Sequence, residues 1–185
     1  LAGDYSRGVV LPERGAASRT VAFFPGSSIG NFEPAEAAAF LSAARRTCGA
    51  GGAMILGTDM HKDPATLERA YNDAAGVTAE FNLNLLHRIN RECGADFDLS
   101  AFRHHAVYDV AARRIEMRLV CRRDCAVHIG RRRFDFTAGE HILTEYSHKY
   151  MPQDVHRLAA GAGWHVERCW PDPDAAFVVW LLRAV

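Results

Sequence analysis

Hydrophobic and polar positions in the first third of the chain predict a βαβ unit. A short apolar run, Thr20–Phe24, ends at a Pro-Gly pair and predicts a buried strand followed by a loop. The Ala-rich segment Pro34–Thr47 carries its larger apolar side chains on one face and predicts a helix, which the following glycines end. A second apolar run, Ala53–Leu56, predicts another buried strand, which Gly57–Asp59 leaves. The short links between these elements predict parallel strands with a right-handed crossover.

The middle of the chain changes from a helical pattern to a strand pattern. Helical spacing begins at Asp63-Pro64 and continues to about Arg91, with an expected interruption at Gly76. Four short segments with polar turns then predict strands: His105–Val110, Arg114–Val120, Ala126–Ile129 and Arg132–Phe136. In the second of these, apolar and polar side chains alternate, which is typical of a half-buried strand. Together they predict an antiparallel meander that forms a second lobe.

The α/β pattern returns towards the end of the chain. Pro152–Ala160 predicts a helix, Trp164–Trp170 predicts a strand, and Ala176–Val185 predicts a long apolar final strand. The α/β layer is therefore predicted to be split. Residues 1–62 and 148–185 are expected to form one domain, and residues 63–147 an inserted lobe.

Composition limits the classes of partner. Hydrophobic residues make up 49% of the chain, which is enough for a sizeable core. The 22 basic and 22 acidic residues balance, so no electrostatic footprint for nucleic acid or an anionic membrane is present. No apolar run reaches the length of a membrane span, and no signal peptide is recognisable. The five scattered cysteines favour reduced thiols in the cytoplasm.

The loop Pro25–Asn31 is the first candidate site. It follows a predicted parallel strand, at the position where α/β sheets bind ligands. Gly26 permits close backbone approach, Ser27 offers a hydroxyl, and Asn31 offers both a donor and an acceptor. A plainer interpretation makes Asn31 the cap of the following helix. The pattern alone does not choose between the two.

A second candidate set lies in the predicted helical segment. Tyr71 and Thr78 are seven residues apart, and Thr78 and Phe81 are three apart, so one helical face is expected to carry all three. From spacing alone, Tyr71 and Phe81 are more simply core residues.

Glu145 and Ser147 form a third set. They stand two apart in a predicted extended segment, so both side chains are expected on one face. A carboxylate and a hydroxyl spaced in this way can address the two nitrogens of an imidazole ring. A solvated strand is the plainer interpretation of the same two residues.

Metal binding is not expected. Among the nine histidines, His104 and His105 are adjacent and so face opposite sides of a strand, and His141 and His148 are not at a helical ligand spacing. Cys121 and Cys125 lack a partner pair at zinc-finger spacing. No phosphate-binding loop or nucleophile elbow is present either.

Long segments of the chain resemble one known family. The matching segments are FFPGSSIGNFEP (Phe23–Pro34), GTDMHKD (Gly57–Asp63), AYNDAAGVTAEFNLNLLHRINRECGADF (Ala70–Phe97) and ILTEYSHKY (Ile142–Tyr150). They resemble the histidine Nα-methyltransferases of ergothioneine biosynthesis. These enzymes use S-adenosylmethionine (SAM) to convert histidine to its trimethylammonium betaine, hercynine. The resemblance runs in order through essentially the whole chain but covers part of the family's length, because the Gly-rich SAM loop and the acidic ribose-binding residue normally lie upstream of Leu1.

The resemblance implies a fold class and a set of site residues. The fold would be α/β, a Rossmann-like SAM-dependent methyltransferase fold without its N-terminal part, with an inserted α+β substrate-binding lobe and an antiparallel closing strand. The residues implied to bind SAM are Asp4, Tyr5, Gly26 and Ser27. Those implied to bind histidine are Asn31, Tyr71, Thr78, Phe81, Met117, Glu145 and Ser147. No catalytic residue in the strict sense is implied, because no general base is evident.

Within the histidine set, the resemblance implies separate tasks. Asn31 and Tyr71 would hold the amino-acid end, and Thr78, Phe81 and Met117 would border the imidazole. Glu145 and Ser147 would set the specificity for histidine. SAM is the expected co-substrate and L-histidine the expected small-molecule partner.

Three further expectations concern the whole protein. The full-length protein is expected to be a monomer, and the open sheet edge of the present chain allows association. One alternative keeps the fold and changes the substrate to another amino acid or amine. The other alternative is a truncated methyltransferase-like domain without catalysis.

Overall fold

A computed structural model describes residues 19–185. Asp4 and Tyr5, which the resemblance implies bind SAM, lie outside the described residues. The described chain divides into two compact units. The first consists of residues 19–61 with Ser147–Val185, and the second is Lys62–Tyr146. That the second unit acts as a substrate-binding lobe stays a prediction.

The strands and helices follow in chain order. The strands are β1 (Val21–Phe24), β2 (Ala53–Asp59), β3 (Phe102–Asp109), β4 (Arg114–Cys121), β5 (Cys125–Ile129), β6 (Arg132–Phe136), β7 (His141–His148), β8 (Trp164–Pro171) and β9 (Phe177–Ala184). The helices are α1 (Pro34–Cys48), α2 (Pro64–Tyr71), α3 (Val77–Cys93) and α4 (Pro152–Gly161). A short 3₁₀ helix, Ser28–Asn31, follows β1.

The first unit contains a mixed four-stranded sheet in the order β1-β2-β9-β8. β1 pairs in parallel with β2, and α1 connects them, so the predicted βαβ pairing is confirmed. β9 runs antiparallel to both β2 and β8, which confirms the implied closing strand. β2 is longer than predicted. The segment Gly57–Asp59 continues the strand because Val179, Val178 and Phe177 of β9 pair with it.

Large apolar side chains from α1, α4 and the sheet fill the core of this unit. Its largest fully buried members are Ile29, Leu41, Met54, Leu56, Trp164, Trp180 and Leu182. Both tryptophan N–H groups find buried acceptors, since Trp164 Nε1 donates to the carbonyl of Leu41 at 2.9 Å and Trp180 Nε1 donates to Thr58 Oγ1 at 2.7 Å. Buried donors without such partners would cost free energy of folding.

One expectation for this unit, the burial of β1, was wrong. β1 is not a buried strand, because Val21 is 54% exposed and Phe23 is 72% exposed. Only the opposite face of this outer strand packs on the core. Association across its edge stays a prediction.

The interpretation of Asn31 as the cap of α1 is wrong. Pro34 is the first helical residue, so Glu33 is the N-cap. The Glu36 carboxylate accepts a hydrogen bond from the Glu33 main-chain N–H at 2.9 Å.

The second unit packs two helices against short antiparallel strands. β3, β4 and β7 form one sheet in the order β3-β4-β7, and β5 and β6 form a separate hairpin. The antiparallel pairing of β3 with β4 and of β5 with β6 is confirmed, although the strands do not form one continuous meander. Ile115, Met117 and Leu119 point into the core from alternate positions of β4, as their period of two predicts.

The predicted long helix is divided. α2 ends at Tyr71 and α3 begins at Val77, with Gly76 at φ 76° between them. Tyr71 therefore does not share a helical face with Thr78 and Phe81, and that expectation was wrong. Asp73 supplies the physical reason for the break, since its carboxylate accepts hydrogen bonds from the main-chain N–H groups of Val77 and Thr78, each at 2.9 Å. It thereby satisfies donors at the start of α3 that no helical carbonyl can reach.

The carboxylate of Asp73 makes the start of α3 sensitive to acid. Hydrogen bonds from the Thr78 side chain, and then from the main chain of Thr78 and Val77, lower the pKa of Asp73 from 3.8 to about 2. A carboxyl group whose pKa falls on folding stabilises the fold above its unfolded value, and this contribution is lost as the pH falls towards 2. We expect an NMR titration of the Asp73 carboxyl carbon to give a midpoint near 2.

Amide exchange at Val77 and Thr78 provides the control for this prediction. Exchange at these two amides, corrected for its intrinsic pH dependence, should rise between pH 4 and pH 2 in the unchanged protein. In Asp73→Asn this rise should disappear. A carboxyl midpoint near 3.8, the ordinary value, would contradict the proposed cap.

Two general features of the described chain complete the fold. No helix within residues 19–185 has the length and apolar character needed to cross a membrane. None of the five cysteines, all of which are described, forms a disulfide.

Candidate functional site

The loop after β1 has an unusual conformation at Ser27. This residue has φ 58° and ψ 11°, in the left-handed region that residues other than glycine rarely adopt. Its Oγ accepts a hydrogen bond from the main-chain N–H of Asp59 at 2.7 Å. Asp59 ends β2, the parallel neighbour of β1. The bond therefore holds the loop against the carboxyl end of the next strand, where α/β sheets bind ligands.

Glycines allow main-chain segments to approach one another at this end of the sheet. A Cβ on Gly57 would lie 1.8 Å from the carbonyl oxygen of Pro25, and a Cβ on Gly30 would lie 2.8 Å from that of His148. Gly26 differs, because a Cβ there would meet no described atom nearer than Ser28 Oγ at 3.9 Å. Packing explains the glycines at 57 and 30. Packing against the described atoms does not explain the glycine at 26.

A buried lysine joins the end of β2 to the segment after β7. The Lys149 side chain has 0% exposure, and its Nζ lies 2.8 Å from Asp59 Oδ2. The same Nζ donates to Ser147 Oγ at 2.7 Å. Tyr150 adds two further contacts, since its N–H donates to the Asp59 carbonyl at 3.0 Å and its hydroxyl donates to the Ile29 carbonyl at 3.3 Å. Burial raises the pKa of Tyr150 to about 12, so this hydroxyl keeps its proton.

The predicted site residues of the first unit differ in their exposure. Gly26 is exposed and Ser27 is half-buried, and both lie in the loop that ends β1. Asn31 is the exposed last residue of the 3₁₀ helix. Ser147 is only 5% exposed, so the solvated-strand interpretation is wrong for it. Their roles in binding SAM and histidine stay predictions.

The second unit contains a small pocket between α3 and the strands. It encloses about 180 Å³ and is lined by Phe81, Asn82, Asn84, Leu85, Arg88, Met117, Thr144 and Glu145. Three of the predicted histidine-binding residues, Phe81, Met117 and Glu145, therefore line one pocket. Tyr71 and Thr78 are not among its lining residues. Glu145 lies in β7, as predicted, and is half-buried.

The pocket combines an apolar floor with an apolar rim. Met117 is 3% exposed and packs in the core with Leu67 and Ile115. Phe81 is 67% exposed and Leu85 is 38% exposed, so the core interpretation of Phe81 was wrong. Exposed apolar side chains beside a concave surface are typical of a ligand-binding site.

A histidine and two asparagines fix the helices around Tyr71. His104 Nε2 lies 2.8 Å from the Tyr71 carbonyl, and His104 Nδ1 lies 2.9 Å from Asn82 Nδ2. Because the carbonyl can only accept and the amide nitrogen can only donate, this arrangement selects the neutral tautomer with its proton on Nε2. Asn72 bonds to both the N–H and the carbonyl of Ala106. Tyr71 itself packs against the cluster that contains Met117.

Sequence reasoning missed several residues of these sites. Asn84, Leu85 and Arg88 follow Phe81 at three, four and seven residues, so helical spacing from Phe81 could have found them. Thr144 directly precedes Glu145, and its hydroxyl donates to the Met117 carbonyl at 3.0 Å. The sequence contained no signal for the pairing of Lys149 with Asp59, because this pairing depends on how the distant segments are arranged in the sheet. Within residues 19–185, no three His, Cys, Asp or Glu side chains are placed to hold a metal ion.

Two curated relatives with similar sequences carry the name histidine N-alpha-methyltransferase. The chain is 46% identical over 161 residues to the histidine N-alpha-methyltransferase of Mycolicibacterium smegmatis, covering 86% of this chain and 50% of the relative. It is 44% identical over 179 residues to the protein of the same name from Mycobacterium tuberculosis, covering 96% of this chain and 55% of the relative. The chain thus spans about half the length of these relatives.

A solved structure supports the fold independently. The CcbJ methyltransferase from Streptomyces caelestis superposes with a TM-score of 0.50 at 11% identity, covering 99% of this chain and 62% of that chain. Together with the antiparallel closing strand, this likeness identifies a Rossmann-like methyltransferase fold. The model of one family, described as histidine-specific, SAM-dependent methyltransferases, matches residues 1–184. With the fold and the relatives in agreement, this chain belongs to the family of SAM-dependent, histidine-specific methyltransferases.

Proposed function

We propose that this protein transfers methyl groups from SAM to the α-amino group of L-histidine, forming the trimethylated product hercynine in ergothioneine biosynthesis. The observation that carries the proposal is the pocket lined by Phe81, Met117 and Glu145. It offers a half-buried carboxylate beside an apolar floor, and an imidazole ring has both an N–H group and flat apolar faces. Family membership directs the proposal to histidine.

Specificity in this proposal comes from polar pairing. The Glu145 carboxylate accepts a hydrogen bond from the N–H of the ring, while Met117 and Phe81 contact its faces. A pocket built to pair a polar group rejects ligands that leave the group unpaired far more strongly than an apolar pocket rejects a ligand of wrong size. Ser147 addresses the other ring nitrogen. Asn31 and Tyr71 hold the amino-acid end, and Thr78 borders the ring.

The loop at the end of β1 is the part of the described chain that we propose for SAM binding. Gly26 leaves room for close approach of a ligand, and Ser27 is fixed by its bond to Asp59. When bound there, SAM supplies a methyl group on a positively charged sulfur. We propose that Gly26 and Ser27 contribute to this site, together with Asp4 and Tyr5.

The chemistry then depends on position rather than on a covalent intermediate. The substrate amine loses its proton to solvent, and its nitrogen lone pair forms the new N–C bond as the C–S bond breaks in line with it. Asn31 and Tyr71 hold the amine for this step, so that most of the rate acceleration comes from orientation. Glu145 and Ser147 contribute through binding energy at the remote ring.

A methylation assay with a panel of amino acids tests the proposal. We expect methyl transfer from SAM to histidine, with mass increases corresponding to one, two and three methyl groups. Tryptophan, tyrosine and phenylalanine serve as controls, because none presents two ring nitrogens. Preferred methylation of another amino acid, or binding of histidine and SAM without any transfer, would contradict the proposal.

A further inference from the structure

Lys149 stands two residues after Ser147 and contacts it directly. The Nζ of Lys149 donates to Ser147 Oγ at 2.7 Å and lies 2.8 Å from the Asp59 carboxylate. An ammonium group has three donors and no acceptor. Ser147 must therefore be the acceptor in this bond, and its own hydroxyl hydrogen points away from Lys149.

The burial of this ammonium group is costly. The Lys149 side chain has 0% exposure, and a lysine is almost never fully buried unless it is paired. Asp59 and Ser147 offset the cost of removing the charge from water, but an apolar side chain of similar volume would avoid that cost altogether. Stability alone therefore does not explain a lysine at this position.

Lys149 and Asp59 also connect Ser147 to Ser27, and all four residues lie in the first unit. The Asp59 carboxylate binds Lys149, and the Asp59 main-chain N–H binds Ser27 Oγ at 2.7 Å. Ser27 lies in the loop proposed to bind SAM, whereas Ser147 is proposed to bind the ring of histidine. Lys149 thus fixes the position of the Ser147 hydroxyl relative to this loop.

We infer that Lys149 is a positioning residue that makes Ser147 a hydrogen-bond donor to the unprotonated nitrogen of the substrate imidazole. This inference rests on the proposed histidine site. A hydroxyl that accepts from a cation is polarised and becomes a stronger donor. Glu145, as a carboxylate, can only accept. The pair therefore selects a neutral ring that has one N–H group and one bare nitrogen.

Ring analogues can separate donor from acceptor recognition. The two pyrrolylalanines, pyrrol-2-yl and pyrrol-3-yl, each keep one ring N–H and replace the other nitrogen by C–H. We expect the unchanged, intact protein to bind histidine about 10- to 100-fold more tightly than the better of the two, as one strong hydrogen bond to a buried donor would give. Dissociation constants are measured by calorimetry with the demethylated product of SAM present, so that no transfer occurs.

Variants of Lys149 then test its part in this preference. In Lys149→Met the preference should fall to about 3-fold or less, with the affinity for the SAM product changed far less. This variant removes the Lys149 cation from the half-buried Asp59 carboxylate, which can destabilise the chain, so Lys149→Met/Asp59→Asn is measured beside it. Lys62→Met, which changes the chain's other lysine, is the matched control and should keep the full preference.

The same change in a Ser147→Ala background separates positioning from general stability. Ser147→Ala should itself remove the preference for histidine, and adding Lys149→Met/Asp59→Asn should then change it no further. The inference would be overturned if the folded Lys149 variants kept the full preference for histidine over the pyrrolylalanines. It would also be overturned if the Lys149 change reduced this preference by the same factor in the unchanged protein and in Ser147→Ala. If the unchanged protein binds histidine without preferring it to the pyrrolylalanines, the inference alone fails. If the unchanged protein does not bind histidine, the proposed function fails and takes this inference with it.

Discussion

Replacing Glu145 with alanine is expected to raise the dissociation constant for histidine by roughly 10- to 150-fold, because a hydrogen bond to a charged group contributes about 1.5–3 kcal/mol. The affinity for SAM should change by less than about 3-fold, since Glu145 lines the pocket in the second unit and is not part of the loop after β1. Calorimetry with each ligand separately measures both effects. Equal losses for histidine and SAM would contradict the assignment of Glu145 to the ring.

Two further variants sharpen this test. Glu145→Gln keeps the size and one acceptor oxygen, so its loss of histidine affinity should be smaller than that of the alanine variant. Glu167→Ala removes a carboxylate of the same kind from β8, where it pairs at the surface with Arg183. This control should leave both affinities unchanged. Unchanged histidine affinity in Glu145→Ala would remove the pocket from the proposed substrate site.

Replacing Gly57 with alanine is expected to be the most destabilising single-methyl change at the end of the sheet. The new Cβ would lie 1.8 Å from the Pro25 carbonyl oxygen and 2.8 Å from Phe177 Cζ. The first contact is with main chain and cannot be relieved by rotating a side chain. We expect a loss of about 3 kcal/mol or more in the free energy of unfolding, at the upper end of the range for overpacking. Urea denaturation of both proteins measures it.

Gly26→Ala is the matched control for this change. The same methyl group at this position would meet its nearest described atom, Ser28 Oγ, at 3.9 Å, so the free energy of unfolding should change by less than about 0.5 kcal/mol. The affinity for SAM should nevertheless fall, because the methyl group would occupy space proposed for the ligand. Full stability in Gly57→Ala would contradict the close approach of the two segments. Unchanged SAM affinity in Gly26→Ala would remove this glycine from the proposed cofactor site.

The proposed site relies on interactions of different range. Ser147 and Lys149 share a side because an extended chain repeats every two residues. In the second unit, α3 presents Phe81, Leu85 and Arg88 to one pocket because a helix repeats every 3.6 residues. The Lys149–Asp59 pair is different, since it joins positions ninety residues apart in the sequence. Local periodicity therefore predicts the candidate site residues, whereas the pairing of strands determines which distant residues contact them.

The sequence alone was sufficient for the order and type of the regular elements. Apolar runs and Pro, Gly and Asp signals identified β1, α1, β2, β8 and β9, and the resemblance predicted the antiparallel closing strand. These features depend on a residue and its near neighbours, so that a linear pattern contains them. The division of the helical segment was expected at Gly76, but the Asp73 cap that separates Tyr71 from Thr78 was not.

Only the tertiary structure decided burial and pairing. It exposed Phe23, which was expected in a buried strand, and Phe81, which spacing alone placed in the core. It also made Glu33 the cap of α1, buried Ser147, and brought Lys149 to Asp59. Burial and ion pairing depend on which distant segments lie opposite one another, and hydrophobic periodicity along a single chain contains no information about that opposite partner.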